Sequence, residues 1–532
     1  MLLPTMALAL AASLLPIPRT HATPTMDSVP RLVVLIVIDQ FQPDELLRYQ
    51  GEWTGGFKRL LQQGVVFSHG QQDHAITQTS PGHSTLLSGR FPAHTGIGTN
   101  DRGVPDSLAS LIDDPKAVGA SPRRFQGTTL ADWLIARDST TRILSISMKD
   151  RAAILPIGRS RGQIYWWSKL GFFTTSRYYR DTLPSWVQAW NARRPAARLA
   201  GRSWDLLMPP GTYSEPDSMS AELGPDGRAT FPHVLPADSI GTAAQLSNWP
   251  WMDSLTIDLA LAGVHALGIG SDTAGRIDLV SISLSTVDEI GHYYGPDSRE
   301  MHDMLLRLDR YLGWFLDSLA TVAPPGRTLF VLAADHGVQP IPEQAVPTSG
   351  PPPVRAWPAA MVRSVAAELR DRWRTDFGIR FDYGVVTADV AALRARGVDV
   401  DSLGQSLAQR FAREPYVDRV YTPRSLAAAP KTDVIAARWR HTLPAEWGWL
   451  VAVTPREGTM WDSWKVGANH GTPWQADVEI PIVFWGAGLT PRSVSRPVRS
   501  VDIAPTLARL IGLVPTEPLD GVVLPEVARR SR

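Results

Sequence analysis

"RLVVLIVID", residues 31–39, is an unbroken apolar run, rich in β-branched residues, that ends on an aspartate. A run with no polar alternation reads as a strand buried on both faces, the habit of parallel sheets covered by helices. Four further apolar, β-branched runs look like buried strands: "RILSIS" (142–147), "IDLVSISLS" (277–285), "TLFVLAAD" (328–335) and "IPIVFWG" (480–486). Helical spacing lies between some of them, in "GGFKRLLQQG", "GHSTLLSGR", "TLADWLIAR" and "MHDMLLRLDRYLGWFLDSLA". This alternation predicts an α/β fold with a mostly parallel, doubly wound sheet flanked by helices. Two stretches interrupt it. Residues from about 155 to 255 are rich in Trp, Tyr, Pro and Gly and are expected to form an inserted cap or rim. Residues from about 340 to 465 carry their own helix and strand patterns ("VDSLGQSLAQRFAREP", "WGWLVAVTP") and are expected to form a second insertion.

The chemistry gathers where strands end. The first run stops at Asp39, "LVSISLSTVDEIGH" runs into Asp288 and His292, and "LFVLAADH" stops at Asp335 and His336. In open α/β sheets, ligands bind beyond the carboxyl ends of the strands. Each residue alone has a plainer role, since an Asp after an apolar run commonly caps a helix or forms a turn. His470, in the glycine-rich turn "ANHG", is equally ordinary by itself. Together they supply three carboxylates and three imidazoles in a chain with no cysteine. Oxygen and imidazole donors of this kind suit Zn²⁺, and Mn²⁺ less well. Six donors exceed the needs of one tetrahedral ion and suit two ions about 4 Å apart.

At 532 residues the chain can bury one large core, or a core with sizeable insertions. A formal charge of +1 gives no polybasic signal, so no specific nucleic-acid partner is expected. The apolar run from Met6 to Ile17 is followed by "THA", which predicts a signal peptide over residues 1–22 and a catalytic domain over 23–532. One feature departs from the usual signal: no Lys or Arg precedes the run. The expectation is a periplasmic or secreted protein without a transmembrane segment in its mature chain.

The segments "IVIDQFQPDELLRY", "HAITQTSPGHSTLLSGRFPAHTGIGTND", "SMKDRAAILPIG", "STVDEIGHYYGP", "AADHG", "NHGTPWQADVEIPIVFWGAG" and "VDIAPTLARLIG" resemble, in order, those of bacterial alkaline phosphatases with a threonine nucleophile. These belong to the alkaline phosphatase superfamily and are related to the nucleotide pyrophosphatase/phosphodiesterases. The resemblance runs from about residue 31 to 526. It implies an alkaline-phosphatase-like fold and two Zn²⁺ per chain. One ion is held by Asp39, Asp335, His336 and Thr79, the other by Asp288, His292 and His470. It further implies that Asn100 donates to a phosphoryl oxygen, and that Lys149 and Arg151 hold the remaining charge of a phosphate monoester. Substrates would be small phosphate esters. An additional structural ion such as Ca²⁺ and the oligomeric state stay open.

Within "HAITQTSPGHSTLLSG" (74–89) the choice of nucleophile also has a local argument. Pro81 suits a first helical position, which makes Ser80 the expected N-cap and leaves Thr79 just outside, near the positive end of the helix. Thr77, two residues earlier, is its competitor, and the family register favours Thr79. Ser84, Thr85 and His83 are expected to be structural. A Lys–Arg pair offers a point charge and a planar fork to a dianionic monoester, whereas a diester has less charge to hold. A phosphodiesterase using the same metals is the alternative activity. A sulfatase is disfavoured, because a chain without Cys would need a Ser-x-Pro-x-Arg arrangement that "SPGHS" does not provide.

Overall fold

The computed structural model describes residues 30–271, 275–345, 351–462 and 467–527. The expected signal peptide lies outside them. The opening run folds as β1 (Leu32–Ile38), with every residue buried. The other strands of its sheet are β2 (Val65–Gln71), β3 (Ile143–Ser147), β4 (Gln163–Ser168), β5 (Phe172–Thr174), β6 (Asp278–Leu284), β7 (Thr328–Ala333), β8 (Glu479–Gly486), β9 (Arg492–Val494) and β10 (Val498–Arg499). Their order is β9-β2-β8-β7-β1-β6-β3-β4-β5, with β10 also on β2. From β7 to β4 every pairing is parallel. β1 lies in register between β6 and β7, so both its faces and both its edges are covered.

β8 runs antiparallel to β2 and β7. Its first residues therefore stand beside the last residues of β7, with Ile482 opposite Ala333. A loop entering β8 consequently arrives at the same sheet edge as loops leaving the parallel strands. This reversal delivers His470 to the residues that follow β1, β6 and β7.

The helices used below are α1 (Gly56–Gln63), α2 (Thr79–Leu86), α3 (Asp150–Ile154), α4 (Trp251–Leu267), α5 (Thr286–Tyr294) and α6 (Arg299–Ala320). α4 packs on β3 and β6, and α6 packs on α1, α4 and α5. Asp309 of α6 accepts hydrogen bonds from the backbone N–H groups of Thr54, Gly55 and Phe57, at 2.7, 2.6 and 2.8 Å. A carboxylate thus satisfies the first free donors of α1 and complements its dipole. The approach is so close that a Cβ on Gly55 would stand 2.3 Å from the Asp309 carbonyl oxygen, which accounts for the glycine pair opening that helix.

Within the stretch from about 155 to 255, β4 and β5 pair into the main sheet as its edge hairpin, and the aromatic run "YWWSKLGFF" lies in that hairpin. The second stretch forms a separate antiparallel sheet, ordered Arg380–Asp382, Val385–Thr387, Trp449–Pro455, Val417–Tyr421. It has a core of its own around Phe381, Val386, Phe411, Val451 and Trp461.

Candidate metal centre and active site

Three parallel strands and one antiparallel strand place the candidate ligands at one edge. Asp39 follows β1, and its N–H continues the ladder to the Leu284 carbonyl at 3.1 Å. Asp288 and His292 lie four residues apart on α5, just beyond β6, and so share a helix face. Asp335 and His336 follow β7, and His470 precedes β8. Asp39, Asp335 and His336 are fully buried, Asp288 and His470 nearly so, and His292 is the most open of the six.

The distances separate hydrogen bonding from ligation. His336 Nε2 stands 3.4 Å from Asp39 Oδ1 and 3.5 Å from Asp335 Oδ2. His292 Nε2 and His470 Nε2 stand 3.3 and 3.4 Å from Asp288 Oδ1. Such contacts are long for N–H···O bonds, which fall at about 2.7–3.2 Å. They match the spacing of neighbouring donors around a tetrahedral ion, about 3.3–3.6 Å for bonds of about 2.0–2.2 Å. Asp39 Oδ1 and His336 Nε2 are buried with no hydrogen-bond partner among the described residues, and Asp335 Oδ2, which has none of good geometry, has only His83 Nδ1 beside it, at 3.0 Å. Buried polar atoms rarely go unpaired, so three facing one another define a place for a cation. Two triads close within 4.8 Å: Asp39 with Asp335 and His336, and Asp288 with His336 and His470. His336 thus belongs to both, while His292 reaches Asp288 from the open side.

Each imidazole is aimed by its other nitrogen. Nδ1 of His336 donates to the Gly337 carbonyl at 2.9 Å, that of His292 to Ala468 at 2.9 Å, and that of His470 to Thr77 at 2.6 Å. With Nδ1–H fixed on a carbonyl, the lone pair of Nε2 faces the carboxylates, as ligation requires.

Charge balance points the same way. Burial alone would raise Asp39 and Asp288, yet the Lys149 ammonium holds both carboxyls well below the usual range. Burial and the neighbouring Asp39 carboxylate push Asp335 up. Burial would lower His336 and His292, but adjacent carboxylates carry each up to about 9. His470 goes down to about 3 through burial and the His336 ring stacked on it at 3.7 Å. Three buried carboxylates draw in every available positive charge.

Thr79 begins α2, and His83, one turn later, reaches Asp335. His83 Nδ1 lies 2.9 Å from the Thr79 carbonyl and 3.0 Å from Asp335 Oδ2, and its Nε2 meets Ser283 Oγ at 2.9 Å. Thr79 Oγ1 makes no hydrogen bond among the described residues. Thr77 Oγ1 donates to the Thr472 carbonyl at 2.9 Å, and its own carbonyl holds His470, so that hydroxyl is engaged in holding the site together. Asn100 Oδ1 accepts the Ser80 N–H at 2.8 Å, which turns its amide donors away from the helix. Lys149 Nζ lies 2.8 Å from Asp39 Oδ2, closer still to Asp288 Oδ2, and 3.9 Å from Glu289 Oε1. Lys149 is therefore on the ligand carboxylates. Arg151 has a buried Nε without a hydrogen-bond partner, and its guanidinium is joined only loosely to Asp150, at 3.8 Å. No hydrogen bond or ion pair joins it to the other candidates among the described residues.

The helix start differs from the expectation. Gln78, not Ser80, is the N-cap, Thr79 is the first helical residue and Pro81 the third. Pro81 fits there because the third N–H of a helix also lacks an internal acceptor. Ser80 Oγ is buried without a partner and caps nothing; Asn100 supplies the cap instead. Three contributors carried no signal of their own in the sequence: His83, bridging Thr79 and Asp335; Thr77, through its carbonyl; and Gln40, discussed below. His83 lies four residues after Thr79, a helical spacing that points back to the start of α2.

This fold, with candidate ligand sets at its strand ends, fits a metal-dependent phosphoesterase. The chain belongs to the type I phosphodiesterase / nucleotide pyrophosphatase family, whose sequence model matches residues 33–469. It is 28% identical to alkaline phosphatase PafA of Elizabethkingia meningoseptica over 93% of each chain. It is 30% identical to alkaline phosphatase PhoK of a Sphingomonas species over 94% of this chain and 92% of that one. The crystal structure of wild-type PafA superposes with a TM-score of 0.86 at 27% identity, covering 95% of this chain and all of that one.

Proposed function

We propose that this chain is an exported alkaline phosphatase that holds two zinc ions and hydrolyses phosphate monoesters through a phosphothreonine at Thr79, releasing inorganic phosphate. The phosphate monoester hydrolase rests on the near full-length similarity to PafA and PhoK. The single observation that supports two cations is the donor spacing of 3.3–3.5 Å in both sets, which in the Asp39 set surrounds buried atoms without a hydrogen-bond partner among the described residues. Asp39, Asp335, His336 and Thr79 would hold one ion, and Asp288, His292 and His470 the other. Bound there, zinc would favour ionisation of the Thr79 hydroxyl and offset charge on the departing ester oxygen.

Thr79 Oγ1 attacks phosphorus in line, and the ester P–O bond breaks as the alcohol leaves. Water then attacks the same phosphorus, the Thr79 Oγ1–P bond breaks, and phosphate departs. Asn100 donates from its free amide to a phosphoryl oxygen. Arg151 offers its fork to the others, and Lys149 adds charge once cations take over its place beside Asp39 and Asp288. Phosphoryl transfer needs little beyond positioning and charge stabilisation, which these groups supply. Export is supported by the apolar stretch from Met6 to Ile17. Among the described residues no helix is long and apolar enough to cross a membrane.

A phosphodiesterase reading has one observation in its favour: Lys149, needed for a monoester's extra charge, is bound to ligand carboxylates. Parallel turnover of p-nitrophenyl phosphate and bis(p-nitrophenyl) phosphate decides between the two, and a faster diester overturns the monoesterase. Thr79→Ala should abolish monoester turnover, and acid-quenched wild type should carry phosphate on Thr79 by mass spectrometry. Undiminished turnover in Thr79→Ala sinks the nucleophile.

A further inference from the structure

Gln40 stands between the two ligand sets and has no part in the chemistry above. It is fully buried, directly after Asp39, with φ of 62°. That left-handed conformation is natural for glycine and strained for a residue with a Cβ. The turn aims the Gln40 backbone N–H at Asp335 Oδ1, 3.2 Å away. The side chain runs the other way, and its Nε2 donates to Asp288 Oδ1 at 3.0 Å. One residue therefore fastens a carboxylate of each set, the first by its main chain and the second by its side chain. Glycine would hold Asp335 without strain but could not reach Asp288.

The partner of this arrangement is Gly291, inside α5 between Asp288 and His292. Glycine is unfavourable within a helix. Here a Cβ would lie 1.8 Å from Gln40 Oε1, so the glycine is the space through which the glutamine side chain passes. Gln40 Oε1 gains no hydrogen bond there among the described residues. Its amide is placed for what Nε2 donates to.

We propose that Gln40 is a positioning residue, a brace that sets Asp288 relative to Asp335 and so couples the second zinc site to the first. The inference rests on the two-zinc proposal. Metal-stripped wild type, Gln40→Gly, Gln40→Met and Gly291→Ala would each be titrated with zinc alone against a competing chelator. Circular dichroism and thermal melts would establish folding. Gln40→Gly, which relieves the backbone, guards against a variant that does not fold.

Wild type should take up two zinc ions per chain. The Gln40 variants should keep the Asp39 set within about threefold and weaken the Asp288 set by roughly 10–100-fold, the usual cost of losing a group that orients a ligand. Gly291→Ala should weaken the same site, and should cost nothing further in the Gln40→Gly background, where the clash is gone. A general packing role would instead weaken both sites together. Wild type with two ions and Gln40 variants with both sites unchanged, or both equally weakened, overturn the brace alone. A wild type that binds no zinc overturns the metal proposal and the brace with it.

Discussion

Replacing Lys149 by methionine tests whether its ammonium stands in for cations. Lys149 Nζ contacts Asp39 and Asp288, and the three side chains are only 6, 0 and 3% exposed. The small energies of surface ion pairs therefore do not apply. Removing one member of a buried ion pair leaves its partners uncompensated and costs about 3–5 kcal/mol. Methionine keeps most of the apolar stem, so packing changes little. Unfolding entropy of about 2.1 cal/mol/K per residue makes each kcal/mol worth about 1 °C in a chain of 532 residues, so a fall of about 3–5 °C is expected in chelator. In saturating zinc the ions neutralise the same carboxylates, and the fall should shrink to below about 2 °C. Melts of wild type and Lys149→Met in both buffers measure the difference. An equal fall in both would make the ammonium purely structural, and no fall in chelator would mean that it compensates nothing.

Three other perturbations follow. Arg151→Ala should lower kcat/KM for p-nitrophenyl phosphate by at least about tenfold while changing the diester less, as expected for a charged hydrogen bond of about 1.5–3 kcal/mol; equal losses contradict its role. Glu45 is fully buried, and burial raises its carboxyl to about 8. The folded chain then holds a proton that the unfolded chain has lost, so stability falls as pH rises from about 4.5 to 8, by roughly 4–5 kcal/mol at most. Glu45→Gln should gain thermal stability over wild type as pH rises through that window and level off above it; a pH-independent difference counts against this linkage. Asp309→Ala removes the acceptor of three backbone donors at the start of α1 and should cost about 3–5 kcal/mol in denaturant melts, while a loss below about 1 kcal/mol would show that water replaces the cap.

The parallel centre of the sheet was legible because its strands are apolar, β-branched runs buried throughout. β2 was not, since "VVFSHGQ" mixes Ser, His and Gly and is only partly covered. The reversal of β8 also left no trace in its own residues. "IPIVFWG" reads as a strand in either direction, and only its pairing with Ala333 and Leu332 settles the sense. The candidate ligands could be named from strand ends. The residues that orient them could not, because a carbonyl such as that of Thr77 acts whatever its side chain, and Gln40 owes its role to a left-handed turn. Pro81 misled for a related reason: its missing N–H is tolerated at any of the first three helical positions, so the residue marks the first turn but not its first member.

The division of labour across the fold has a consequence for specificity. The carboxylates and imidazoles hang from the ends of β1, β6 and β7 and the entrance to β8, strands packed so tightly that a shift in one is felt by the others. Lys149 and Arg151 come instead from the N-cap and first turn of α3, after β3, and Asn100 from the loop that caps α2. The residues proposed to read the charge of the ester therefore sit at or beside connections that can change while the candidate ligand framework stays fixed. Lys149 is the exception, since it touches Asp39 and Asp288 directly. In the proposed mechanism a change at that position would reach both the candidate ligands and the substrate, whereas a change at Arg151 would reach only the substrate. Arg151 is thus the residue through which this framework could alter its choice between monoesters and diesters without disturbing the charge balance of its ligands.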